Sequence, residues 1–579
     1  MGIHRGAFLL SYPKSGGTPT SKYLITSALP YINGVKHLGN LAGSLLPADV
    51  YARFLRHEGE EVLFICATDE HGTPAELSAR KAGLCVQDYC KAMYQKQSSI
   101  YAQFGLSFDH FGRTSSAQNR ALTQHFYEKL TAHGYIVERT IRQVYSVADG
   151  RFLPDRYVVG TCPKCGYPAA RGDQCENCTS VLDPTDLQVP RSAISGSTDL
   201  EVRATNHLFL RLDALSRAIR TWVDDHADWS RLTRSIALKW LDEGLSERCI
   251  TRDLDWGVPV PREGLEHKVF YVWFDAPIGY MGATKEWSDQ APHERDWQAW
   301  WWDAPDVTYT QFMAKDNVPF HTVFFPGMVL GTREPWTMAT QIKSFNWLTY
   351  YGGKFSTSQK RGIFLDDALA LFPADYWRYV LLANAPESDD TRFTWESFAR
   401  AVNQDLVGTF GNFVNRTLKL AEAHFGHRVP EGGAPGDVEH RLQDSCQRLA
   451  EAYREHLRHQ EFRKAVQVLR ALWSTGNVYL DRRAPWNLLK TQRDEAAVVL
   501  RTAINLIMYF AMAAEPIIPF AAGVVLDALQ VNDRERQKWL QEIDLESYSP
   551  GREFYVPDLL FRRIDGTEIT ALQQRFAGL

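Results

Sequence analysis

The stretch that most constrains how this chain can fold is Ala28-Leu-Pro-Tyr-Ile-Asn-Gly-Val-Lys-His-Leu-Gly-Asn40, taken with the segments on either side. Upstream, Tyr23 to Thr26 is a short apolar, β-prone run, and downstream Leu41, Leu45, Leu46, Val50 and Phe54 recur at helical spacing. The segment therefore reads as strand, loop and helix. A helix that opens after such a loop presents unpaired backbone N–H groups and a positive dipole end, a setting that holds phosphate. Gly39 allows a ligand close to the backbone, and His37 supplies a polar side chain beside it. Pro47 removes one backbone hydrogen bond from the helix and should bend it.

Val62 to Ala67 is a continuous apolar run ending at Thr68-Asp69, the pattern of a buried parallel strand that stops at a polar residue. In a doubly wound sheet ligands lie beyond the carboxyl ends of the strands, so Asp69 either faces a ligand or caps the helical segment starting near Thr73. Further on, Cys162-Pro-Lys-Cys165 and Cys175-Glu-Asn-Cys178 have the spacing of a closed, tetrahedral four-cysteine zinc site, with a pair of disulfides as the alternative. With all four positions filled by cysteine, such a zinc is structural. The other cysteines, Cys66, Cys85, Cys90, Cys249 and Cys446, follow no framework spacing and suit reduced thiols in the cytoplasm. At 579 residues the chain is too long for one core, and length suggests three or four domains. A net charge of -5 excludes nucleic-acid binding by bulk charge, so any such contact needs a local patch. No uninterrupted apolar run is long enough to span a bilayer, and residues 1–20 read as a disordered tail.

A second polar stretch, Lys354-Phe-Ser-Thr-Ser358, lies in the loop from Tyr351 to Arg361. With His37-Leu-Gly-Asn40 it resembles the paired HIGH and KMSKS motifs of class I aminoacyl-tRNA synthetases. Ala28-Leu-Pro-Tyr31, Asp69-Glu-His-Gly-Thr73, Trp273-Phe-Asp-Ala-Pro-Ile-Gly-Tyr280 and Lys315-Asp-Asn-Val-Pro-Phe-His321 narrow the resemblance to the methionyl family. Asn317-Val-Pro319 and the phenylalanine of Lys354-Phe-Ser356 are worded more like the archaeal and eukaryotic branch. The resemblance implies a mixed α/β chain. A Rossmann-type parallel-sheet catalytic domain (21–144 and 263–345) is split by a zinc-binding connective insertion (145–262). Next come a loop and stem-contact region (346–395), an all-α anticodon-binding bundle (396–548) and a return segment (549–579). Within this scheme Lys268 to Asp275 is a β-prone run that resumes the sheet.

The implied activity is adenylation of L-methionine with ATP, then transfer to the 3′ end of tRNA(Met) bearing a CAU anticodon. Mg²⁺ accompanies ATP and one structural zinc is held per chain. Family positions assign Ala28, Leu29, Tyr31, Asp69, Trp273, Ala276, Pro277, Tyr280 and His321 to methionine, with Asp69 on its ammonium. A thioether suits an aromatic-lined pocket. ATP falls to His37, Gly39, Asn40, Lys354 and Thr357. The catalytic set is His37, Asn40, Arg252, Lys354, Ser356, Ser358 and Lys360. Arg252 is otherwise a surface ion-pair residue. Asn412, Arg416 and Trp486 are the implied anticodon readers, matching the way unstacked bases are recognised. Arg441 to Arg470 carries seven basic residues that form either a phosphate-contacting patch or a solvated helix face.

Thr357 stands where the family carries a second lysine, and Lys360 or Arg361 would replace that charge if the loop folds back. The departure leaves open a synthetase-like adenylating paralogue with another tRNA partner, in a biosynthetic or resistance role. The lack of an appended tRNA-binding barrel predicts a monomer, and no membrane contact is expected.

Overall fold

The structure, a computed structural model, describes residues 21–576 apart from 173, 174, 176, 179, 181, 357–360 and 537. The expected tail at 1–20 and the candidate residues Thr357, Ser358 and Lys360 lie outside the described residues. Five parallel strands form the central sheet: β1 (Lys22–Ser27), β2 (Glu61–Thr68), β3 (His110–Arg113), β4 (Val307–Ala314) and β5 (Gln341–Phe345). Their order is β5-β4-β1-β2-β3, so the chain steps outward from β1 on one side and later returns to the other. The winding reverses between β1 and β4, and their carboxyl ends open the crevice where doubly wound sheets place ligands.

After β1 the chain forms one helical stretch made of Leu38–Asn40, a π-helical turn Leu41–Leu45 and Leu46–His57. The wide turn meets the demand of Pro47, since the Leu46 N–H reaches back to Leu41 O and not to the usual partner. The stretch is buried along most of its length and carries Asp49 into the core. There Asp49 Oδ2 accepts from Arg53 (3.0 Å) and from Arg378 (2.7 Å), whose guanidinium also donates to Pro516 O and Ile517 O. Burial pushes the Asp49 carboxyl up, but the two arginines hold it at about 2. This charged knot joins the loop-bearing helix to the C-terminal bundle.

Between β3 and β4 the chain makes a long antiparallel ribbon, Ile136–Ser146 against Leu200–Leu210, paired along its full length. The ribbon begins at Ile136, ahead of the boundary read at 145, because its exposed polar residues such as Glu138, Arg139 and Thr140 mask the strand pattern. Beyond it lies a small three-stranded sheet (Ala170–Arg171, Val158–Thr161, Gln188–Ser192) around the cysteines. The expected strand over Lys268 to Asp275 is a second departure. Only Val269–Phe270 is extended, and Val272–Asp275 is a helical turn. Its β-branched and aromatic residues reflect burial of Val272, Phe274 and Asp275 rather than sheet pairing.

Past β5, Leu348–Tyr350 pairs with Gly353–Lys354 and with Thr391–Phe393. The remaining chain is mostly helical, with Asn412–Phe425, Asp437–Arg458, Phe462–Arg483 and Arg493–Ala514 as its long members. Against the sequence expectation, Arg493–Ala514 is long and apolar enough to cross a membrane, but its apolar window is wholly buried in the protein. Its polar breaks are partnered there: Arg501 donates to Gly433 O (2.7 Å) and Asn505 to Tyr548 O (3.1 Å). The end of the chain returns to the catalytic half, where Ile564 N–H donates to Asn403 Oδ1 (2.9 Å) and Tyr350 hydroxyl to Phe576 O (2.8 Å).

Candidate active site

The loop after β1 leaves the sheet at the switch, with Ala28 N–H donating to Phe312 O (2.8 Å) at the end of β4. It is zipped to the exit of β2: Ile32 N–H donates to Asp69 O (2.9 Å) and Asp69 N–H to Pro30 O (3.0 Å). Three acids crowd this point. Glu70 accepts from Arg113 (2.8 and 2.9 Å), Ser115 (2.5 Å) and Thr68 (2.7 Å). Asp275 Oδ2 meets His71 Nδ1 at 2.6 Å. Asp69 Oδ1 is shielded from solvent and has no hydrogen-bond partner among the described residues. Burial raises the Asp69 carboxyl well above its ordinary range, Asp275 and Glu70 add to this, and Lys36 opposes them. Asp69 does not cap the next helix, Thr73–Lys81, whose N-cap is Gly72. A buried acceptor left open at the mouth of a crevice is suited to a cationic ligand group.

Around Asp69 lies an aromatic wall. Tyr31 donates its hydroxyl to His71 O, and Tyr280 hydroxyl lies 2.9 Å from His321 Nε2, whose Nδ1 is 2.9 Å from Asn317 O. Burial lowers the His321 imidazole to about 4, so it is neutral at pH 7. Trp273 is edge-on to Phe320 at 4.8 Å and 42% exposed, so it forms the open lip. The helical turn that replaced the expected strand carries Trp273, leads into Ala276 and buried Pro277, and sets Gly279 so that a Cβ there would come within 3.3 Å of Leu29. Half-buried Ala28 begins the same loop. The predicted methionine-side residues are thus brought together at the carboxyl ends of β1 and β2. Arg252 sits at the margin, with its guanidinium 3.7 Å over Tyr271, and Tyr271 packs on Trp273 (5.1 Å).

The other end of the crevice joins His37 to the Lys354 stretch. Leu38 N–H donates to Ile363 O (3.1 Å), Leu365 N–H to Lys36 O (2.9 Å), and the His37 ring stacks on Phe355 at 5.0 Å. Burial, with Lys36 adding to it, lowers His37 to about 3, and its Nδ1 has no hydrogen-bond partner among the described residues. The space at Gly39 is flanked by the His37 ring (3.1 Å) and Phe355 (3.5 Å), so the glycine admits these rings. Asn40 turns its side-chain oxygen to the His37 N–H (3.2 Å). Ser356 and Arg361 exchange two backbone hydrogen bonds (3.1 and 2.9 Å), which brings Arg361 back beside Ser356. Gly362 (φ 101) permits this, since a Cβ there would meet Phe355 at 2.2 Å. Exposed Lys354 rests its ammonium 3.8 Å over the Trp347 ring.

Two further sites stand apart. The sulfurs of Cys162 and Cys178 are 3.8 Å apart and those of Cys165 and Cys175 3.6 Å, with all four within 4.8 Å of one another. Zn–S bonds of about 2.3 Å in a tetrahedron separate sulfurs by roughly 3.8 Å, so the residues fit zinc. In the bundle, Arg416 lies 5.2 Å over Trp486, and both line a cavity of about 400 Å³ with Asn415 and Lys419. Asn412, one turn earlier on the same helix, is not part of that lining. Much of the basic run at Arg441 to Arg470 is neutralised: Arg454 and Arg458 pair with Glu58, Lys464 with Glu461 and Arg470 with Asp405.

Sequence reasoning missed Lys36, His71, Asp275, Phe355 and Trp347 at this site. His71 and Asp275 lay within quoted motifs, and their pairing across 204 positions is purely tertiary. Lys36 is 4% exposed, donates to Asn33 Oδ1 (2.9 Å), and is lowered by burial to about 7. A lysine in the middle of an otherwise apolar and glycine-rich loop was the available signal.

Residues 23–418 match the family model described as tRNA synthetases class I (M), and residues 429–579 the anticodon binding domain of methionyl tRNA ligase. A methionine--tRNA ligase of Acaryochloris marina is 60% identical over 558 residues, covering 96% of this chain and all of the relative. One from Streptomyces avermitilis is 57% identical over 571 residues, covering 96% and 99%. In fold, the chain is similar to Mycobacterium tuberculosis methionyl-tRNA synthetase, solved in complex with methionyl-adenylate, with TM-score 0.76 and 23% identity over 94% of this chain and 100% of that one. With its switch-point crevice and the motifs that meet there, this chain belongs to the class I methionyl-tRNA synthetases.

Proposed function

We infer that the protein activates L-methionine with ATP and transfers it to tRNA(Met). The observation that carries this reading is the convergence of the His37 loop, Asp69 and Phe355 with Arg361 on one crevice, where Asp69 Oδ1 and His37 Nδ1 have no hydrogen-bond partner among the described residues. In the first step a carboxylate oxygen of methionine bonds to the α-phosphorus while the bond to the bridging oxygen of pyrophosphate breaks. In the second, a terminal ribose hydroxyl of tRNA attacks the acyl carbon and AMP leaves.

Asp69 takes the methionine ammonium, which supplies the missing partner of its carboxylate. Trp273, Tyr280 and His321 bound the thioether side with Leu29, Ala276 and Pro277. Neutral His37 offers a ring N–H to a phosphate oxygen without adding a competing charge, and Lys354 with Ser356 acts at the pyrophosphate end. Such chemistry rests on alignment and charge stabilisation more than on proton transfer. When ATP is bound, accompanying Mg²⁺ would supply neutralisation of its phosphate charge. Zinc held by Cys162, Cys165, Cys175 and Cys178 is structural, because cysteine fills all four positions. Trp486 and Arg416 form a stacking platform for an unstacked anticodon base, worth about 1–3 kcal/mol. We place this work in the cytoplasm, by a monomer, in keeping with the free thiols Cys66, Cys90 and Cys446.

Methionine-dependent exchange of pyrophosphate into ATP, followed by charging of tRNA with CAU or an altered anticodon, tests the reading. Exchange and CAU-selective charging are expected. No exchange would overturn the function, and exchange with indifferent or absent charging would support the adenylating paralogue.

A further inference from the structure

Lysines of very different origin meet on one indole. Lys315 follows β4 and Lys354 lies on the hairpin after β5, yet their ammonium groups are 4.2 and 3.8 Å from the centre of the Trp347 ring. Both strands end at the crevice, so the pair stands over its phosphate end. The indole is itself braced. Trp347 N–H donates to Asp390 Oδ1 (2.8 Å), Lys315 Nζ donates to the same oxygen (2.7 Å), and the indole N–H reaches Asp316 Oδ1 (3.4 Å). Asp390, which burial alone would push up, is held low by Lys315, the Trp347 amide and Lys354. One carboxylate faces two ammonium groups, and the ring quadrupole supplies the remaining attraction. An ammonium over an indole keeps part of its charge available, because the ring face is a weaker partner than a second carboxylate.

We propose that Trp347 is a positioning residue that shelves the ammonium groups of Lys315 and Lys354 at the phosphate end, so that Lys315 acts with Lys354 on the departing pyrophosphate. Lys315 is anchored by Asp390 and Asn346 at the strand end, so its charge is held in a fixed place. Lys354 rests on the ring and faces Asp390 only as a second, electrostatic partner of that carboxylate, which Lys315 holds by a 2.7 Å hydrogen bond, so it transfers to a phosphate oxygen at small cost. The two lysines thereby divide the work between a fixed and a movable charge. This inference rests on the adenylation reading and deepens it.

The test compares W347F, which keeps an aromatic face, with W347L, which keeps apolar bulk but loses it. It reads methionine-dependent pyrophosphate exchange, with methionine affinity measured separately by calorimetry without ATP. W347L is expected to lose about tenfold in exchange kcat while methionine affinity stays within about twofold, and W347F to recover most of the loss. Equal losses in both variants, or no loss in either, overturn the proposal. K315M is the second measurement, independent of indole packing: it should slow exchange at saturating methionine without weakening methionine binding, and an unchanged rate overturns the role of Lys315. Absence of exchange in the unmodified protein would instead remove the adenylation reading on which all of this stands.

Discussion

The two ends of the crevice are built differently. At the amino-acid end, the walls are strand exits and a helical turn packed into the core, with Tyr280 and His321 only 2% and 6% exposed. Glu70 and one oxygen of Asp275 are matched by specific donors, while Oδ1 of Asp69 and Oδ1 of Asp275 have none among the described residues. At the phosphate end, exposed Lys354 lies on an aromatic face, and Ser356 is tied to Arg361 by two backbone hydrogen bonds. The first end is preorganised, because moving any wall would open a cavity or strand a polar group. The second can rearrange at little cost. Preorganised contacts act on substrate binding and rearranging ones on the rate once substrate is bound, so substitutions at the two ends should separate in kinetics.

The largest effect is expected from Asp69→Asn. Losing a shielded charged partner of the methionine ammonium should cut kcat/KM for methionine by about two to three orders of magnitude, mostly through KM. A loss carried by kcat alone would erase the contrast between the ends. Lys354→Met should lower exchange kcat by about a hundredfold with methionine KM nearly unchanged. A rise in methionine KM of similar size would show that the ends are not separable.

Lys36→Met sharpens the comparison, because its effects on binding and stability have opposite signs. Lys36 counters the burial and like-charge repulsion that raise Asp69, so its loss should raise methionine KM by about tenfold at pH 7, less as pH rises. The folded ammonium releases its proton at about 7 instead of 10.5, so the unfolded chain binds more protons between these values. Stability therefore rises with pH across that window, and at pH 7 the buried lysine is a burden. The substitution should raise Tm by about 2–4 °C in a melting scan. An unaltered KM would detach Lys36 from Asp69.

The smallest effect is on acid stability. His37 and His321 bind protons in the unfolded chain below 6.5, but in the folded protein only near about 3 and about 4. Stability is thus lost as pH falls from 6.5 toward 4, and both rings stay neutral in the working range. Replacing His321 with Gln should flatten that limb of a Tm-versus-pH curve. An unchanged slope would mean the ring is not buried as a neutral base.

Patterns set by neighbours in the chain were readable. The strand before Ala28, the helix after it, the apolar strand at Val62 to Ala67 and the paired cysteines all obey local rules of periodicity or spacing, and the structure has each of them. The residues assigned to methionine from motif wording come together at the crevice, although Trp273 sits on a helical turn and not on the expected strand. What the sequence left open were matters that depend on distant partners. Arg454, Arg458 and Arg470 look like a basic patch until Glu58 and Asp405 are brought to them.

The chain alone thus determined the alternation of strands and helices, the clustering of four thiols and the identity of the two motifs, because these follow from periodicity, spacing and residue chemistry within short windows. Only the tertiary structure decided that Glu70 is fully partnered while Asp69 and Asp275 each keep an oxygen with no donor among the described residues, that Lys36 is buried beside them, and that Lys315 and Lys354 share one ring. Those outcomes are settled by desolvation and charge pairing between residues up to hundreds of positions apart, and no local pattern encodes them.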